Sequence, residues 1–321
     1  MGGLVNAQIA RDGTGLIDGA LGLCGLVAGG VDLGNYQYDA EYALASLLLP
    51  DEQVELTGFT GMADGYLSAQ QLDTAVAAAQ TTPQGRARIA LAAAYLNLPD
   101  WAPAQDPPAT DDAAGQEAQQ YAWLAQGMLD FYMTGPYSVE QSAGGNASGN
   151  AGVDYAALLH DSEHAAEVAT LYSEAGLDLH TDLSTLTQGA DLHADPAAVA
   201  HLQATSTAGQ HLGVPLLDLH TTSDQLVPVQ QESAFAARVR SAGDGALLRQ
   251  AYVARQGHCN FTAAEIVAGV HAIDQRVTTG SWGTLATPGA LQRSADALDL
   301  DGAAFVPYQP SRLVVGRRSL G

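Results

Sequence analysis

The chain has 321 residues, of which 47% are hydrophobic, and this is enough apolar material for one large domain or two smaller ones. Its 12 basic residues are all arginine, and 35 acidic residues leave a net charge of −23. A surface of that charge repels phosphate backbones and anionic lipid headgroups, so nucleic acid and membrane surfaces are poor candidates for partners.

The first thirty residues predict a helix followed by a strand. Met1-Gly2-Gly3 leads into an apolar helix to about Arg11, and Ile17 to Cys24 has the apolar character of a buried strand. The longest uncharged apolar run, Gly19 to Val31, has 13 residues and is interrupted by glycines. Because a membrane helix needs about 20 apolar residues, we expect no membrane span.

The segment from residue 35 to residue 212 has a helical pattern almost throughout. Tyr38 to Leu49 is apolar at helical spacing, Thr82-Pro83 is typical of a helix start, and Gln116 to Met133 predicts a longer helix. Ser148 has glycines nearby, as a catalytic serine in a strand-to-helix turn would, but it lies in a Gly/Asn/Ser-rich loop and is not predicted to be a nucleophile. We therefore expect residues 35–212 to be a helical insertion between two strands.

One motif within this insertion suggests a metal site. His160, Glu163 and His164 match the H-x-x-E-H pattern of inverted zinc peptidases, in which two histidines one helical turn apart hold zinc beside a glutamate base. The match requires one continuous helix. Asp161-Ser162 is typical of a cap between two helices, which would separate the two rings. A zinc peptidase therefore stays an alternative only, and we predict neither a metal site nor a cofactor.

Residues 213–262 combine alternating strands and helices with two turn residues of catalytic type. Val214 to Leu219 predicts a strand that ends in a turn carrying Asp224, and a helix follows from Val229 to about Ser241. Leu247 to Val253 predicts a second strand, which is followed by a turn carrying His258. Thr262 and Glu265 then form a capping box for a further helix, and its predicted buried stripe consists of Ile266, Val270, Ile273 and Val277. An imidazole can take a proton from a hydroxyl and return it, while a carboxylate on its other nitrogen fixes the tautomer.

The order of strand, acid, helix, strand and histidine resembles the C-terminal part of α/β-hydrolase serine hydrolases, in which the acid precedes the base. The likeness rests on Asp224 in HTTSDQLVP, on Val227-Pro228 before the helix, and on Gly257-His258 in a turn. It implies a mostly parallel sheet flanked by helices. It also implies an esterase, lipase or prolyl-oligopeptidase-like enzyme that acts on a small-molecule ester or a peptide.

The resemblance also predicts how the chain is divided. Residues 1–34 and 213–280 would form an incomplete α/β-hydrolase core, residues 35–212 a large helical cap, and residues 281–321 a C-terminal tail. Within the tail, AAFVPY and RLVV are candidate short strands. A cap of this kind selects the substrate and excludes water from the site.

The nucleophile expected of this family is not found in the chain. Met1-Gly2-Gly3 resembles the residues that follow the serine in an elbow of the form Gly-x-Ser-Met-Gly-Gly. The resemblance implies a serine directly before Met1, an oxyanion donor at the Met1 N–H, and a longer natural protein in which Met1 is internal. The chain alone is then expected to be inactive. A non-catalytic remnant or binding protein with the same fold stays open as an alternative.

The chain has two cysteines, and both are expected at the same edge of the sheet. Cys24 ends the first predicted strand, and Cys259 directly follows His258. In the fold that the resemblance implies, these positions allow a disulfide that closes a loop of more than two hundred residues. Two free thiols are the alternative, and a cytosolic location would favour them. The compartment stays open, with secretion as one option.

Overall fold

The computed structural model describes residues 1–12, 15–300, 302–316 and 318. Contacts between residues divide the chain into two compact units. Unit 1 comprises Met1–Gly29 and Ser206–Ser311, and unit 2 comprises Gly30–Thr205 and Arg312–Gly321. The boundaries of the predicted core, residues 1–34 and 213–280, differ from those of unit 1. The role of residues 35–212 as a cap stays a prediction.

Helices account for most of the regular structure in the described ranges, and none of them has the length and apolar character of a bilayer-crossing segment. They are α1 Gly2–Asp12, α2 Gly30–Leu48, α3 Met62–Ala79, α4 Pro83–Leu96, α5 Ala113–Trp123, α6 Leu129–Ala143, α7 Tyr155–His160, α8 Ala165–Ala175, α9 Leu179–Gln188, α10 Pro196–Ser206, α11 Gln231–Ser241, α12 Ala263–Thr279 and α13 Pro288–Asp296. The strands are β1 Ala20–Leu23, β2 Leu216–Ser223, β3 Leu248–Gln256 and β4 Phe305–Val306.

Unit 1 is built on a four-stranded sheet with the order β1-β2-β3-β4. The first three strands are parallel, and β4 pairs with β3 in the antiparallel direction, so the sheet is mixed. Parallel neighbours need crossover connections, and α11 provides the one between β2 and β3. The α/β class expected from the sequence is therefore confirmed. The arrangement specific to α/β-hydrolases stays a prediction.

Helices cover both faces of this sheet because the inner strand β2 carries apolar residues on both sides. Leu216 of β2 packs in one cluster with residues of α1 and α11, whereas Leu217 and Leu219 pack in another with residues of α12 and α13. A parallel strand buried on two faces shows a nearly continuous apolar run, as β2 does. The polar residues Asp218 and His220 interrupt that run at buried positions.

Helix α12 has a capping box at its N-terminus and packs on the sheet through small residues. Thr262 and Glu265 form the predicted capping box, in which each side chain accepts a hydrogen bond from the other residue's backbone N–H. The predicted buried stripe is correct for Ile273, which packs against the core, and wrong for Val270 and Val277, which are 46% and 38% exposed. The buried face instead carries alanines and Gly269, whose small size lets the helix lie close to Leu219 of the sheet.

The C-terminal segment contributes to both units. Phe305–Val306 forms the antiparallel strand β4, in agreement with the strand predicted in AAFVPY, whereas RLVV is not a strand. In unit 2 the backbone of Val314 exchanges two hydrogen bonds with the side chain of Asn97, at 2.7 and 3.0 Å. Arg318 of the same segment contacts the buried carboxylate of Asp39 at 2.6 Å. These contacts hold Val314 and Arg318 within unit 2.

Candidate active site

Asp224 lies where β2 ends, and its side chain is fixed by the turn that it begins. The Oδ1 atom accepts hydrogen bonds from the backbone N–H groups of Leu226 and Val227 at 3.0 and 2.8 Å. An aspartate that bonds the backbone two and three residues further on is typical turn chemistry. The side chain is fully buried. One carboxylate oxygen therefore holds the loop, and Oδ2 is left for other partners.

His258 is brought to Asp224 by a loop that is tied to β2. The backbone N–H of Gly257 donates to Ser223 O at 2.8 Å, and the hydroxyl of Thr221 donates to Gly257 O at 2.9 Å. Gly257 has a φ of 91°, a conformation that glycine adopts without steric cost. His258 Nδ1 lies 2.8 Å from Asp224 Oδ2, and 30% of the histidine side chain is exposed. The imidazole is thus oriented by a buried carboxylate while part of it remains accessible.

A second histidine, His220, supports the same carboxylate and was not identified from the sequence. Its Nε2 lies 3.4 Å from Asp224 Oδ2 and 2.9 Å from Val227 O, and its Nδ1 lies 3.0 Å from Glu232 Oε1. His220 and Glu232 are fully buried. The available signal was strand alternation, which places His220 on the same face of β2 as Asp218. Nothing in the local sequence indicates that α11 delivers Glu232 to that face.

The electrostatics of this network favour charged side chains. Burial raises the pKa of Asp224, but hydrogen bonds from His220 and His258 outweigh it and lower the pKa to about 2. Burial lowers the pKa of His220, but bonds to Asp224 and Glu232 outweigh it and raise the pKa to about 10. For His258, the bond to Asp224 and a contact with Cys259 raise the pKa to about 9. Asp224 is therefore ionised at neutral pH, and both imidazoles beside it have raised pKa values.

Asp218 is buried beside this network and has no hydrogen-bond partner among the described residues. Burial, with the negative charge of Glu232 nearby, raises its pKa well above the usual value. Its strand neighbour on β1 is Gly22, and a Cβ at that position would lie only 1.8 Å from Asp218 Oδ1. Glycine is therefore required on β1 for Asp218 to keep this side-chain position.

The two cysteines lie together at the same edge of the sheet. The Sγ atoms of Cys24 and Cys259 and a ring nitrogen of His258 all lie within 4.8 Å of one another, with both thiols free. The Sγ atom of Cys259 also lies 3.6 Å from Leu23 O. The hydrogen bond from Cys24, together with His258, lowers the pKa of Cys259 to about 5, whereas burial strongly raises that of Cys24. The disulfide between these two cysteines stays a prediction.

The N-terminus of α1 reaches the same edge. A Cβ on Gly3 would lie 2.4 Å from the Cα of Gly25 and 3.0 Å from Leu23 O, the carbonyl that Cys259 also contacts. Such contacts exclude any larger residue at position 3 without a shift of the backbone. Met1 is 76% exposed, and α1 begins at the next residue. The predicted role of the Met1 N–H as an oxyanion donor stays untested.

The zinc-peptidase motif does not form one helix. Helix α7 ends at His160 and α8 begins at Ala165, so His160 and His164 lie on different helices, as the cap at Asp161 had indicated. His160 is 89% exposed, whereas His164 is buried and bonds Glu167 Oε2 through Nδ1 at 2.8 Å. The geometry required of an H-x-x-E-H site is therefore not met.

In the described residues, two groups of side chains have the composition and spacing of a possible metal site, and both include Cys24. One adds His258 and Cys259, and the other adds His220 and Asp224. Both lie in the network described above. In that network the carboxylate of Asp224 already has four partners, two backbone N–H groups and two imidazoles, so its charge is balanced without a cation.

Comparison with known proteins gives one informative relative. No protein-family model and no solved structure matches the chain. The o-phthalyl amidase of Xanthobacter agilis is 31% identical to it over 270 residues, which are 78% of this chain and 57% of the amidase. The chain thus spans a little over half the length of that relative. That relative is named an amidase, and the activity of this chain stays a proposal.

Proposed function

We propose that unit 1 carries the acid and the base of a serine hydrolase that cleaves an amide or ester bond, with Asp224 and His258 in these roles. The observation that carries the proposal is the 2.8 Å contact between His258 Nδ1 and Asp224 Oδ2, with the carboxylate buried and the imidazole partly exposed. In a triad, this geometry leaves the second ring nitrogen, Nε2, for the nucleophile.

The topology of unit 1 supports an α/β-hydrolase arrangement for this pair. Both residues follow the C-terminal ends of neighbouring parallel strands, Asp224 after β2 and His258 after β3. Ligands and reacting groups of open α/β sheets gather at that edge. A crossover helix, α11, separates the two residues along the chain, as it does in the family that the sequence resembles.

For the nucleophile, we propose a serine directly before Met1 in a longer natural protein. The N-terminus of α1 supports this placement, since Gly3 lies against Gly25 and Leu23 O at the end of β1. Cys259, the neighbour of His258 in the chain, lies 3.6 Å from the same carbonyl oxygen. A residue before Met1 would therefore enter the region where His258 is exposed. The helix N-terminus and the Met1 N–H would then stabilise a developing oxyanion.

The proposed reaction proceeds in two acyl-transfer steps. His258 Nε2 takes the proton of the serine hydroxyl as the oxygen attacks the carbonyl carbon, and Asp224 stabilises the imidazolium through Nδ1–H. The imidazolium then gives this proton to the departing amine or alcohol, leaving an acyl-enzyme. Water then attacks the acyl carbon while His258 takes its proton. The imidazolium returns this proton to the serine oxygen as the acyl–oxygen bond breaks, which releases the acid product and restores the serine hydroxyl. Asp224 stays ionised throughout, as its pKa of about 2 requires.

For the substrate, we propose an amide of an aromatic ortho-dicarboxylic acid, following the name of the o-phthalyl amidase. The amide assignment rests on that similarity alone, and esters stay in the same reaction class because both pass through a tetrahedral oxyanion. A peptide substrate is the other option that the sequence left open.

The test compares this chain with a version extended upstream in its natural reading frame. The extended protein should hydrolyse an N-phthalyl amide with a chromogenic amine, and it should react with a fluorophosphonate probe. Serine-to-alanine substitution at the position before Met1 should abolish both signals, and the 321-residue chain should show neither. An extended protein without a serine at that position would favour the non-catalytic alternative. Labelling of the short chain at another serine would contradict the proposed position of the nucleophile.

A further inference from the structure

Two thiols that the proposed mechanism does not use lie against its histidine. Cys24 and Cys259 are the two cysteines of the chain, and their Sγ atoms and a ring nitrogen of His258 lie within 4.8 Å of one another. We propose that Cys24 and Cys259 form a disulfide on contact with a disulfide oxidant, and that this bond sets the protonation of His258. The bond itself does not depend on the proposed hydrolase activity, whereas its effect on catalysis does.

The backbone holds both cysteines in place for this bond. The N–H of Cys24 donates to Leu219 O at 2.9 Å, and the loop of Cys259 is held by Gly257 N–H, which donates to Ser223 O at 2.8 Å. Both acceptors belong to β2, so one rigid strand positions both segments. A disulfide needs Cβ atoms about 3.5 to 4.5 Å apart, which thiols already this close can reach with side-chain rotation and small shifts.

Both cysteines also have backbone conformations that are unusual for residues other than glycine. Their φ values are 43° for Cys24 and 51° for Cys259, in the left-handed region that is sterically unfavourable for L-residues. Such conformations persist where surrounding contacts over-determine them, and they cluster at functional sites. Here they belong to two segments that face each other at the ends of β1 and β3.

The two thiols differ in the way that a disulfide exchange requires. Cys259 is exposed, and its lowered pKa of about 5 makes it a thiolate at neutral pH. Cys24 is buried, and its pKa is raised by burial and by the neighbouring Cys259; capping Cys259 in a mixed disulfide removes the second of these causes. An accessible thiolate is the sulfur that attacks an external disulfide, and a nearby second thiol resolves the mixed disulfide.

The exchange with oxidised glutathione balances as follows. The Cys259 thiolate attacks one glutathione sulfur, the glutathione S–S bond breaks, and one glutathione thiolate leaves. Cys24 then attacks the Cys259 sulfur, displacing the second glutathione thiolate, which takes up the proton that Cys24 loses. Two electrons pass from the protein to glutathione, giving one protein disulfide and two reduced glutathione molecules.

Bond formation removes a negative charge from the surroundings of His258. In the thiol form the ring faces Asp224 and the thiolate of Cys259, with the buried Cys24 thiol beside them and His220 behind Asp224. Both anions favour the imidazolium. In the disulfide form only Asp224 does, so the His258 pKa falls and the neutral base is present at lower pH. If the proposed function holds, the oxidised protein is the more active form.

A metal ion is the alternative occupant of this cluster, because two sulfurs and an imidazole suit a soft divalent cation. The burial of Cys24 favours a disulfide over a bound metal ion at this cluster. Burial opposes the thiolate that a metal requires at this position, whereas a disulfide places no charge there. The carboxylate of Asp224, also buried, is already balanced by two histidines.

The test uses the 321-residue chain after reduction and removal of the reductant, with zinc content measured before reduction. Oxidised glutathione should consume both thiols and yield a peptide pair linking Cys24 to Cys259. In Cys24→Ser the same treatment should stop at one glutathione on Cys259, and Cys259→Ser should not react. The NMR titration of His258 is assigned with His258→Gln. Oxidation of the natural chain should move its midpoint to lower pH, whereas the same oxidation treatment should leave the midpoint of Cys259→Ser where it was before treatment.

Three results would overturn the proposal. A stable glutathione adduct on the natural chain would mean that Cys24 cannot reach Cys259. Stoichiometric zinc that blocks both thiols until a chelator removes it would assign the cluster to a metal. If the pH midpoint of the His258 titration does not change after complete disulfide formation, the disulfide does not set the protonation of His258. None of these readouts requires hydrolysis, so they remain informative if the proposed activity fails.

Discussion

Each of the two units contains a histidine bound to a buried carboxylate over the same distance, and the two pairs differ in the exposure of the histidine and in their other partners. His258 Nδ1 lies 2.8 Å from Asp224 in unit 1, and His164 Nδ1 lies 2.8 Å from Glu167 in unit 2. The His258 side chain is 30% exposed, whereas that of His164 is 6% exposed and its Nε2 has no partner among the described residues.

The comparison shows that the histidine–carboxylate contact does not by itself indicate catalysis. A general base needs its second nitrogen within reach of a substrate or nucleophile, and burial removes that possibility for His164. The supporting groups also differ. Burial raises the pKa of both carboxyl groups. Hydrogen bonds from His220 and His258 outweigh it at Asp224 and lower the pKa, whereas burial dominates at Glu167 and the pKa stays raised. Exposure and secondary partners separate the two pairs.

The largest expected effect concerns catalysis by the extended, serine-containing protein. His258→Ala should lower kcat/KM on the order of 10⁴-fold, because the serine loses its base. His164→Ala should leave kcat/KM within about threefold once the folded fraction is accounted for, since its ring is buried away from solvent. Initial rates with an N-phthalyl amide measure both. Similar losses in the two variants would mean that the comparison does not separate a base from a structural histidine.

Stability should show the reverse order in the 321-residue chain. His164→Ala removes a buried partner of Glu167 and leaves a cavity, so we expect a loss of about 2 to 4 kcal/mol. His258→Ala should lose about 1 kcal/mol, because Asp224 keeps His220 and two backbone N–H partners. Urea unfolding at neutral pH gives both values. A larger loss in His258→Ala would assign that residue a mainly structural role.

The sequence predicted the elements that carry the first pair because their signals are local. A strand, a turn aspartate, a helix and a second strand lie within one stretch of the chain. Thr262 then caps α12 with a recognisable capping box. Helix ends were likewise indicated at His160, where Asp161-Ser162 interrupts the H-x-x-E-H pattern. Each of these predictions depends on residues within a few positions of one another.

The rest of the site depends on contacts that no local pattern encodes. Glu232 reaches His220 only because α11 folds back on β2, and Gly22 matters only because β1 aligns it with Asp218. The stripe predicted on α12 failed in part for a related reason. Helical spacing identified its large apolar residues, but the close approach to the sheet selects the small ones.

The pH dependence of stability should also distinguish the two carboxylates. The pKa of Asp224 is lowered to about 2, so its contribution is present above the ordinary value of 3.8 and is lost as the pH falls toward 2. A shift of that size corresponds to about 2 kcal/mol. The stability difference between the natural chain and Asp224→Asn should therefore shrink by about that amount between pH 6 and pH 2. Urea midpoints at several pH values measure it.

The raised pKa of Glu167 gives the opposite sign in the same experiment. Its burial disfavours the charged form, so the carboxyl group contributes most at low pH and becomes a cost as it ionises. The difference between the natural chain and Glu167→Gln should therefore not shrink on acidification as it does for Asp224→Asn. Parallel curves for the two variants would contradict the distinction drawn between the pairs.

The smallest effect is expected for His220, which acts on His258 only through Asp224. His220→Gln should lower kcat/KM of the extended protein about tenfold, equivalent to about 1.4 kcal/mol, because Asp224 loses one of its two imidazole partners and holds His258 less firmly. Glutamine can still bond Glu232, which limits the structural cost. The pH profile should report the change as a higher apparent pKa on the acidic side, where His258 takes up a proton, because the missing His220 no longer opposes a second positive charge beside Asp224. A tenfold decrease in kcat/KM with an unchanged pH profile would mean that His220 has only a packing role. A decrease as large as that of His258→Ala would require His220 to contact the substrate itself.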